Sequence, residues 1–153
     1  MMRVFYLLSE DKEQEDYYTK AKYLFRSKFN SRAVSYLEVT GKRYAFLSIS
    51  NGLIMPEEYL NPYKVEVLSA KGMDLWAVLV GMQLNEILGD GEEVCLLYSD
   101  ERYKKLEEML ERGYKVRKPI KNFSGSRLKI LKLEEMIRDE IENRIMWDRK
   151  GIN

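Results

Sequence analysis

Apolar residues along this chain follow two different spacings, which predict strands that alternate with helices. Three short runs are apolar at nearly every position, as is typical of strands buried on both faces: residues 3–8, 44–49 and 93–98. Weaker strand patterns cover residues 64–68 and 114–116. Helical spacing predicts helices over residues 17–38, 72–88, 101–112 and 126 to about 147. This alternation predicts an α/β domain with a largely parallel sheet of about four to five strands flanked by helices.

Two stretches inside this pattern are less regular. Asn30 and Ser31 are candidate break points in the first helical stretch, because their side chains compete with the helix for backbone hydrogen bonds. Pro56 is a candidate start of a short helix with Glu57 and Glu58 in its first turn, where acids complement the helix dipole. The boundaries of these elements therefore depend on local preferences rather than on periodicity.

Length and composition place the chain among ordinary globular proteins. Its 153 residues, 45% hydrophobic and 33% charged, predict one domain over residues 1–153 that can bury a core without crosslinks. Residues 133–153 are predicted to form a C-terminal helical extension of this domain. No run of about 18 apolar residues is present, and acids follow the short apolar start, so neither a membrane span nor a signal peptide is predicted. We therefore expect a cytoplasmic protein.

The counts of cysteine and histidine exclude several kinds of chemistry. The chain has one cysteine, Cys95, and no histidine. Cys95 lies in an apolar run and is predicted to be a buried structural thiol rather than a reactive one. The lack of histidine excludes Ser-His-Asp and Cys-His catalysis and nearly every kind of zinc site. Any general acid or base must therefore be a carboxylate, a tyrosine or a lysine, and no metal or cofactor is predicted.

The net charge of +1 conceals two basic stretches without acids, residues 17–37 and 115–132. Such stretches are commonly solvated surface, but they also suit a polyanionic partner. On the second interpretation, a nucleic-acid interface is predicted at Arg117, Lys118, Lys121, Arg127 and Lys129.

The stretch LSISNGLIMPEEYLNPY, residues 47–63, changes from apolar to small and polar where the second predicted strand ends. Open α/β sheets bind ligands just beyond the carboxyl ends of their strands. Two prolines in this stretch restrict the backbone, which indicates an ordered loop. The stretch is either an ordinary connection or a ligand-binding loop. On the second interpretation, the predicted ligand-binding residues are Ser48, Ser50, Asn51 and Gly52.

Two further loops are predicted to reach the same edge of the sheet. Ser99 and Asp100 follow the third strand, and we expect the second and third strands to be neighbours whose ends contact one ligand. The sequence NFSGSR opens the last helix, where free backbone N–H groups with Ser124, Gly125 and Arg127 suit a phosphate or other anion. In each loop the alternative interpretation is a plain helix cap.

Three runs of the sequence match a known family in order and spacing: LSISNGLIMPEEYLNPYKVEV, AKGMDLWAVLVGMQLNEIL and VCLLYSDERYKKL. They resemble the YaaA family of peroxide-stress proteins, and still more the short domains of unknown function related to it. The resemblance covers roughly residues 3–132 and includes Leu47, Ser48, Gly52, Leu53, Pro62, Tyr63, Trp76, Tyr103, Pro119 and Gly125. It implies an association with DNA and with protection against oxidative damage.

The chain departs from these relatives close to the predicted site. Relatives often carry a cysteine and lysines after the first strand, where this chain reads SEDK at residues 9–12. Many have a lysine or tyrosine two residues before the glycine, where this chain has Ser50. YaaA proteins are also much longer, so the resemblance does not imply their further DNA-contacting elements here.

Three classes of function follow from these observations. The first is a protein that binds a nucleic acid or a nucleotide, in keeping with the basic stretches and the resemblance. The second is an enzyme acting on a nucleoside, nucleotide or base, with Asp100 or Glu58 as acid or base and Tyr63 as a positioning hydroxyl. A third class, a partner-binding protein, depends on the C-terminal helix, whose apolar stripe either closes its own sheet or forms a homodimer. The sequence leaves open whether any reaction is catalysed.

Overall fold

The computed structural model describes residues 3–149, which form strands and helices in alternation. The strands are β1 (Val4–Ser9), β2 (Thr19–Lys20), β3 (Arg43–Ser48), β4 (Gly52–Ile54), β5 (Tyr59–Leu60), β6 (Glu93–Leu96) and β7 (Lys115–Arg117). The helices are α1 (Ala21–Leu24), α2 (Lys28–Val39), α3 (Ala70–Ile87), α4 (Lys104–Glu111) and α5 (Ser126–Arg149), with a 3-10 turn at Glu101–Tyr103. Within residues 3–149, no helix has the length and apolar character needed to cross a membrane.

Within the described residues, the main sheet has five strands in the order β4-β3-β1-β6-β7, with β1 in the centre. β1 runs parallel to β3 and β6, and β6 runs parallel to β7, whereas β4 is antiparallel to β3. A separate antiparallel pair joins β2 to β5. The predicted α/β class, with a largely parallel sheet of about four to five strands flanked by helices, is confirmed.

The strand order corrects one expectation. The second and third predicted strands, which are β3 and β6, are not neighbours, because β1 lies between them and pairs with both. Phe5 of β1 pairs with Arg43 on β3 and with Val94 on β6. The end of β1, at Ser9 and Glu10, therefore takes the central place at the carboxyl edge of the sheet.

Helices cover both faces of the sheet. α1, α2 and α5 pack on one face, where Leu37 and Leu133 are fully buried, and α3 and α4 pack on the other, around Trp76 and Leu84. The chain passes from β1 to α2 on the first face and from β6 to α4 on the second. The carboxyl ends of β1 and β6 therefore form a topological switch point, where the connections leave toward opposite faces. Cys95 on β6 is fully buried, as predicted.

Local hydrogen bonds move two boundaries away from those predicted. The first helical stretch breaks before α2 rather than at Asn30, because the Ser27 hydroxyl accepts the Asn30 N–H and caps the helix. Residues 56–58 form a turn rather than a short helix, since the Glu58 carboxylate accepts the Met55 N–H at 2.6 Å. The side chain that bonds to the backbone at this break is therefore Ser27 rather than Asn30.

The segment between β5 and α3 also differs from the prediction. Residues 64–68 adopt no strand, so the weak strand pattern there is wrong. The α3 helix begins at Ala70, earlier than predicted, because the Ser69 hydroxyl accepts the Gly72 N–H as a cap. The alternation of valines with charged residues suggested a strand with one buried face. In the structure this segment is largely exposed, so no such face forms.

The first half of α5 belongs to the core of the domain. Leu133 is fully buried, and Ile137 packs partly buried against the same cluster. Beyond that point, Ile141 and Ile145 are exposed. Residues 150–153 and the side chain of Trp147, which belong to the predicted C-terminal extension, lie outside the described part of the chain.

Candidate functional site

A cleft of about 550 Å³ opens at the switch point between the carboxyl ends of β1 and β6. Residues 9–11 line it from the β1 side and residues 97–100 from the β6 side. Residues in the first turns of α2 and α5 line it as well. The cleft has the size of a small-molecule pocket and lies where doubly wound α/β sheets bind their ligands.

Glu10, the first residue after β1, lines this cleft and holds three segments together. Its Oε1 accepts the Ser48 hydroxyl at 2.8 Å and the Tyr63 hydroxyl at 2.6 Å, and its Oε2 accepts the Ile49 N–H at 2.8 Å. Glu10 is only 7% exposed, and a buried carboxylate is tolerated when donors of this kind surround it. Burial raises the pKa of Tyr63, and the bond to Glu10 raises it further, so the phenol stays protonated and donates.

Two aromatic side chains support this arrangement from the α3 and α4 face of the sheet. The Tyr103 hydroxyl lies 2.9 Å from the Ser9 hydroxyl, and Trp76 Nε1 donates to the Ser48 carbonyl at 2.8 Å. The two rings stack with their centroids 5.2 Å apart. They thereby fix the ends of β1 and β3, the two strands that carry Ser9 and Ser48.

The loop after β1 is tied to the first turn of α2. Asp11 Oδ2 accepts the Ser27 N–H at 2.9 Å, and Asn30 Nδ2 donates to the Ser9 carbonyl at 2.7 Å. Burial raises the pKa of Asp11, although its hydrogen bonds with Ser27 oppose this shift. Asp11 is therefore a carboxylate in the cleft that takes up a proton more readily than an exposed aspartate.

The wall formed by β6 and α5 carries a different arrangement of charge. Asp100 accepts the Arg102 N–H at 2.9 Å and forms an ion pair with the Arg102 guanidinium at 2.6 Å. Burial alone would raise the pKa of Asp100, but the hydrogen bonds and charge of Arg102 outweigh it and hold the pKa below its ordinary value. Ser126, the first residue of α5, and Lys129 line the cleft on this side. An anion here would meet the start of a helix and one ammonium group.

All of these residues lie in a segment that matches a known sequence family. The model of a family of unknown function (DUF6884) matches residues 5–133. The chain belongs to the DUF6884 family. This membership confirms the expected kinship with short domains of unknown function. No curated protein matches the chain.

Within the DUF6884 region, the structure brings several predicted site residues together around Glu10. Ser48 and Tyr63 both bond to its carboxylate, and the Asn51 N–H donates to the Ser48 hydroxyl at 3.2 Å. Gly52 follows at the start of β4 with a φ of 72°, a left-handed conformation that favours glycine. The central stretch thus supports the Glu10 side of the cleft, while Ser99 and Asp100 line the cleft directly.

Other predicted residues lie apart from the cleft. Glu58 is exposed and bonded within its own turn, and Ser50 is exposed in the turn before β4. Ser124, Gly125 and Arg127 are also exposed. Ser126 and Lys129 line the cleft instead, because residues three apart lie on the same face of a helix. Arg127 lies between them in sequence and points to a different face of α5.

Ion pairs occupy much of the predicted nucleic-acid interface. Arg117 pairs with Glu93 at 2.8 Å, and Lys118 pairs with Glu107 and Glu111. In the first basic stretch, the residues within ion-pair distance of acids are Lys20, Lys22, Arg26 and Arg32. Neither basic stretch is therefore a continuous surface of unneutralised positive charge, although Lys121 and Arg127 are exposed.

Glu10 and Asp11, at the centre of the site, are not among the predicted site residues. Asn30 is predicted only as a helix break point, whereas its side chain donates to the Ser9 carbonyl at the end of β1. The available signal was the pair Glu10 and Asp11 directly after the first strand, since the first strand of a doubly wound sheet commonly lies beside the switch point. Across residues 3–149, no group of three or more His, Cys, Asp or Glu residues is placed to hold a metal ion.

Proposed function

We propose that this protein binds a mononucleotide in the cleft between β1 and β6. The observation that carries the proposal is the buried carboxylate of Glu10 at the switch point of a doubly wound sheet, the place where such folds bind nucleotides. Carboxylates beside a nucleotide site accept hydrogen bonds from ribose hydroxyls, a role open to Asp11. The start of α5, with Lys129, supplies a place for one phosphate.

The charge balance of the cleft favours a ligand with few phosphates over a long nucleic acid. Among residues 3–149, the acids that line the cleft are Glu10, Asp11, Glu13 and Asp100, against the ammonium groups of Lys28 and Lys129. An extended phosphate backbone gains affinity by neutralising many charges with basic side chains, and these acids would oppose it. Among the ligands expected from the sequence, the mononucleotide therefore has the better support.

The resemblance to the YaaA family adds a cellular context to this proposal. A nucleotide-binding protein of that type would serve a stress response or the protection of DNA by binding a nucleotide rather than by coating DNA. The link to stress, the kinship with YaaA and the cytoplasmic location stay predictions that depend on the sequence alone.

Calorimetric titration with matched nucleosides and nucleotides tests the proposal. We expect at least one nucleoside monophosphate to bind, and the nucleoside without its phosphate to bind more weakly. Lys129→Ala should weaken monophosphate binding roughly tenfold or more, since a hydrogen bond to a charged group contributes about 1.5–3 kcal/mol. Lys105→Ala removes an exposed lysine from α4 on the opposite face of the sheet and should leave binding unchanged.

An oligonucleotide titration separates this proposal from nucleic-acid binding. The alternative would be supported by an oligonucleotide that binds at ~50 mM salt, with affinity falling steeply as salt rises, while monophosphates do not bind. In that case Lys121 and Arg127 would be the next residues to reverse in charge. Absence of binding in both titrations would refute both proposals.

An enzyme acting on the same class of ligand is the second candidate, and one observation favours it. Glu10 and Asp11 place two carboxylates in one cleft, and the pKa of Asp11 is raised by burial, as suits a general acid. Asp100 is held ionised by Arg102, which suits that role less well. Chromatography after incubation with nucleosides and nucleotides should then show a new product that Asp11→Asn abolishes while ligand binding remains. Ligands recovered intact from a saturated protein would leave binding as the function.

A further inference from the structure

α3 carries an apolar stripe on its outer face that the described part of the chain leaves exposed. Leu75, Val78, Leu79 and Met82 are 64%, 46%, 63% and 60% exposed. At the helical rotation per residue, these four side chains fall within an arc of about 100°. Contiguous large apolar side chains in solvent mark an interaction surface, whereas isolated ones do not.

Contacts on both borders hold the stripe outward. On one side, Gln83 accepts the Leu53 N–H at 3.1 Å, and on the other, Asn85 accepts the Tyr114 hydroxyl at 2.9 Å. The buried side of the same helix carries Trp76, which is 5% exposed. α3 therefore cannot turn its stripe into its own core without breaking these contacts.

The stripe is complementary to itself when two copies of α3 run antiparallel. The Val78–Leu79 peptide lies midway between Leu75 and Met82, and also midway between Lys71 and Glu86. A twofold axis at this peptide sets Leu75 against the partner's Met82 and Lys71 against the partner's Glu86. Lys71 and Glu86 are both exposed and lie within the same arc as the stripe. A parallel pairing would instead set Lys71 against the partner's Lys71.

We propose that α3 is the interface of a homodimer, with the two helices antiparallel about a twofold axis at Val78 and Leu79. Isologous contacts of this kind need a patch that complements itself, and this stripe sets apolar residues against apolar residues and opposite charges against each other. The interface lies on a different helix from the C-terminal one that the sequence suggested. It leaves the cleft between β1 and β6 uncovered, since no stripe residue lines that cleft, and it is independent of the proposed nucleotide.

Sedimentation equilibrium of the full chain tests the dimer. We expect a mass of twice 18.2 kDa. Leu79→Glu would bury two facing carboxylates near the axis and should weaken dimerisation by about 100-fold or more. Ile141→Glu makes the same change at an exposed apolar residue of α5 and should leave the dimer intact. Circular dichroism checks that both variants stay folded, which is expected because both side chains are exposed.

A charge exchange tests the antiparallel register. Lys71→Glu alone and Glu86→Lys alone each place like charges together at both ends of the interface and should weaken the dimer roughly tenfold. The double variant restores opposite charges and should recover most of the affinity. The proposal is overturned if the chain stays monomeric at its highest soluble concentration, or if Ile141→Glu rather than Leu79→Glu separates the dimer. Failure of the double variant to recover affinity would overturn the antiparallel arrangement.

Discussion

At the scale of single residues, Glu10 determines how the cleft is built. Its carboxylate joins the end of β1 to the end of β3 and to Tyr63, which precedes α3 in the chain. A carboxylate offers about four acceptor positions, and within residues 3–149 three donors occupy positions on Glu10. On the proposed function, the remaining position would let Glu10 contact a bound molecule while it holds the loops in place.

The bond between Glu10 and Tyr63 can be measured by a double-mutant cycle. Tyr63→Phe removes a hydrogen-bond donor from the buried carboxylate of Glu10, so we expect the free energy of unfolding to fall by about 1–2 kcal/mol. Glu10→Gln should also destabilise, and the double variant should lose about 1 kcal/mol less than the sum of the two, because the residues share one contact. Urea unfolding gives these values. Tyr59→Phe, at an exposed tyrosine, should stay within about 0.5 kcal/mol of the unaltered protein. Strict additivity would show that the 2.6 Å contact contributes nothing to stability.

The raised pKa of Asp11 makes the stability of the fold depend on pH in a definite direction. An acid whose pKa is higher in the folded chain than in the unfolded chain stabilises the fold when it is protonated. That contribution is complete below the ordinary pKa of 3.8 and is lost as the pH rises through the higher folded-state pKa. Over the range just above pH 3.8, we expect Asp11→Asn to lose less stability with rising pH than the unaltered protein.

Asp16→Asn is the matched control for this experiment, because Asp16 is an exposed residue of the same loop. Urea unfolding at a series of pH values compares the two variants, and we expect their pH dependences to differ just above pH 3.8, because burial raises the pKa of Asp11. Identical curves for Asp11→Asn and Asp16→Asn would contradict the raised pKa of Asp11.

At the scale of elements, α2 and α5 form one layer whose two starting turns reach the cleft. Arg32 on α2 pairs with Glu134 on α5 at 2.9 Å, and Lys42 after α2 pairs with Glu140 at 2.8 Å. Exposed ion pairs contribute little, so the buried side chains of α5 carry most of this contact. Leu133 is the clearest of them, since it is fully buried.

Two truncations separate the packed half of α5 from its exposed half. A chain that ends after Lys132 loses Leu133 and Ile137 from the core, and we expect a loss of about 3–6 kcal/mol or failure to fold. A chain that ends after Glu140 keeps both, and it should lose no more than about 1 kcal/mol. Urea unfolding compares the two. Equal stability of the two truncated chains would mean that Leu133 and Ile137 do not contribute to the core in solution.

At the scale of the whole molecule, the sequence predicts the layers of the fold better than it predicts the site. Continuous apolar runs identify β1, β3 and β6, because these strands are buried on both faces, and helical spacing of apolar residues identifies α2, α3, α4 and α5. No local sequence pattern determines the order of strands in the sheet. The prediction that β3 and β6 are neighbours was therefore wrong, because β1 lies between them. For the same reason the sequence did not indicate the role of Glu10, because its hydrogen-bond partners Ser48 and Tyr63 are distant in sequence. The ion pairs of Arg117 and Lys118 were hidden for the same reason, since a basic stretch does not reveal the acids that face it.

The central position of β1 has a consequence for the order in which the protein is made. Phe5 pairs with Arg43 on one side and with Val94 on the other, so β1 leaves the ribosome long before either neighbour exists. In a nascent chain that has reached only β3, one edge of the apolar strand β1 is still unpaired, and such edges favour pairing with other chains. Contacts this far apart in sequence also slow folding, because a long loop must close before they form. The strand that Glu10 follows is therefore protected from pairing with other chains only after β6 has been synthesised and has paired with it.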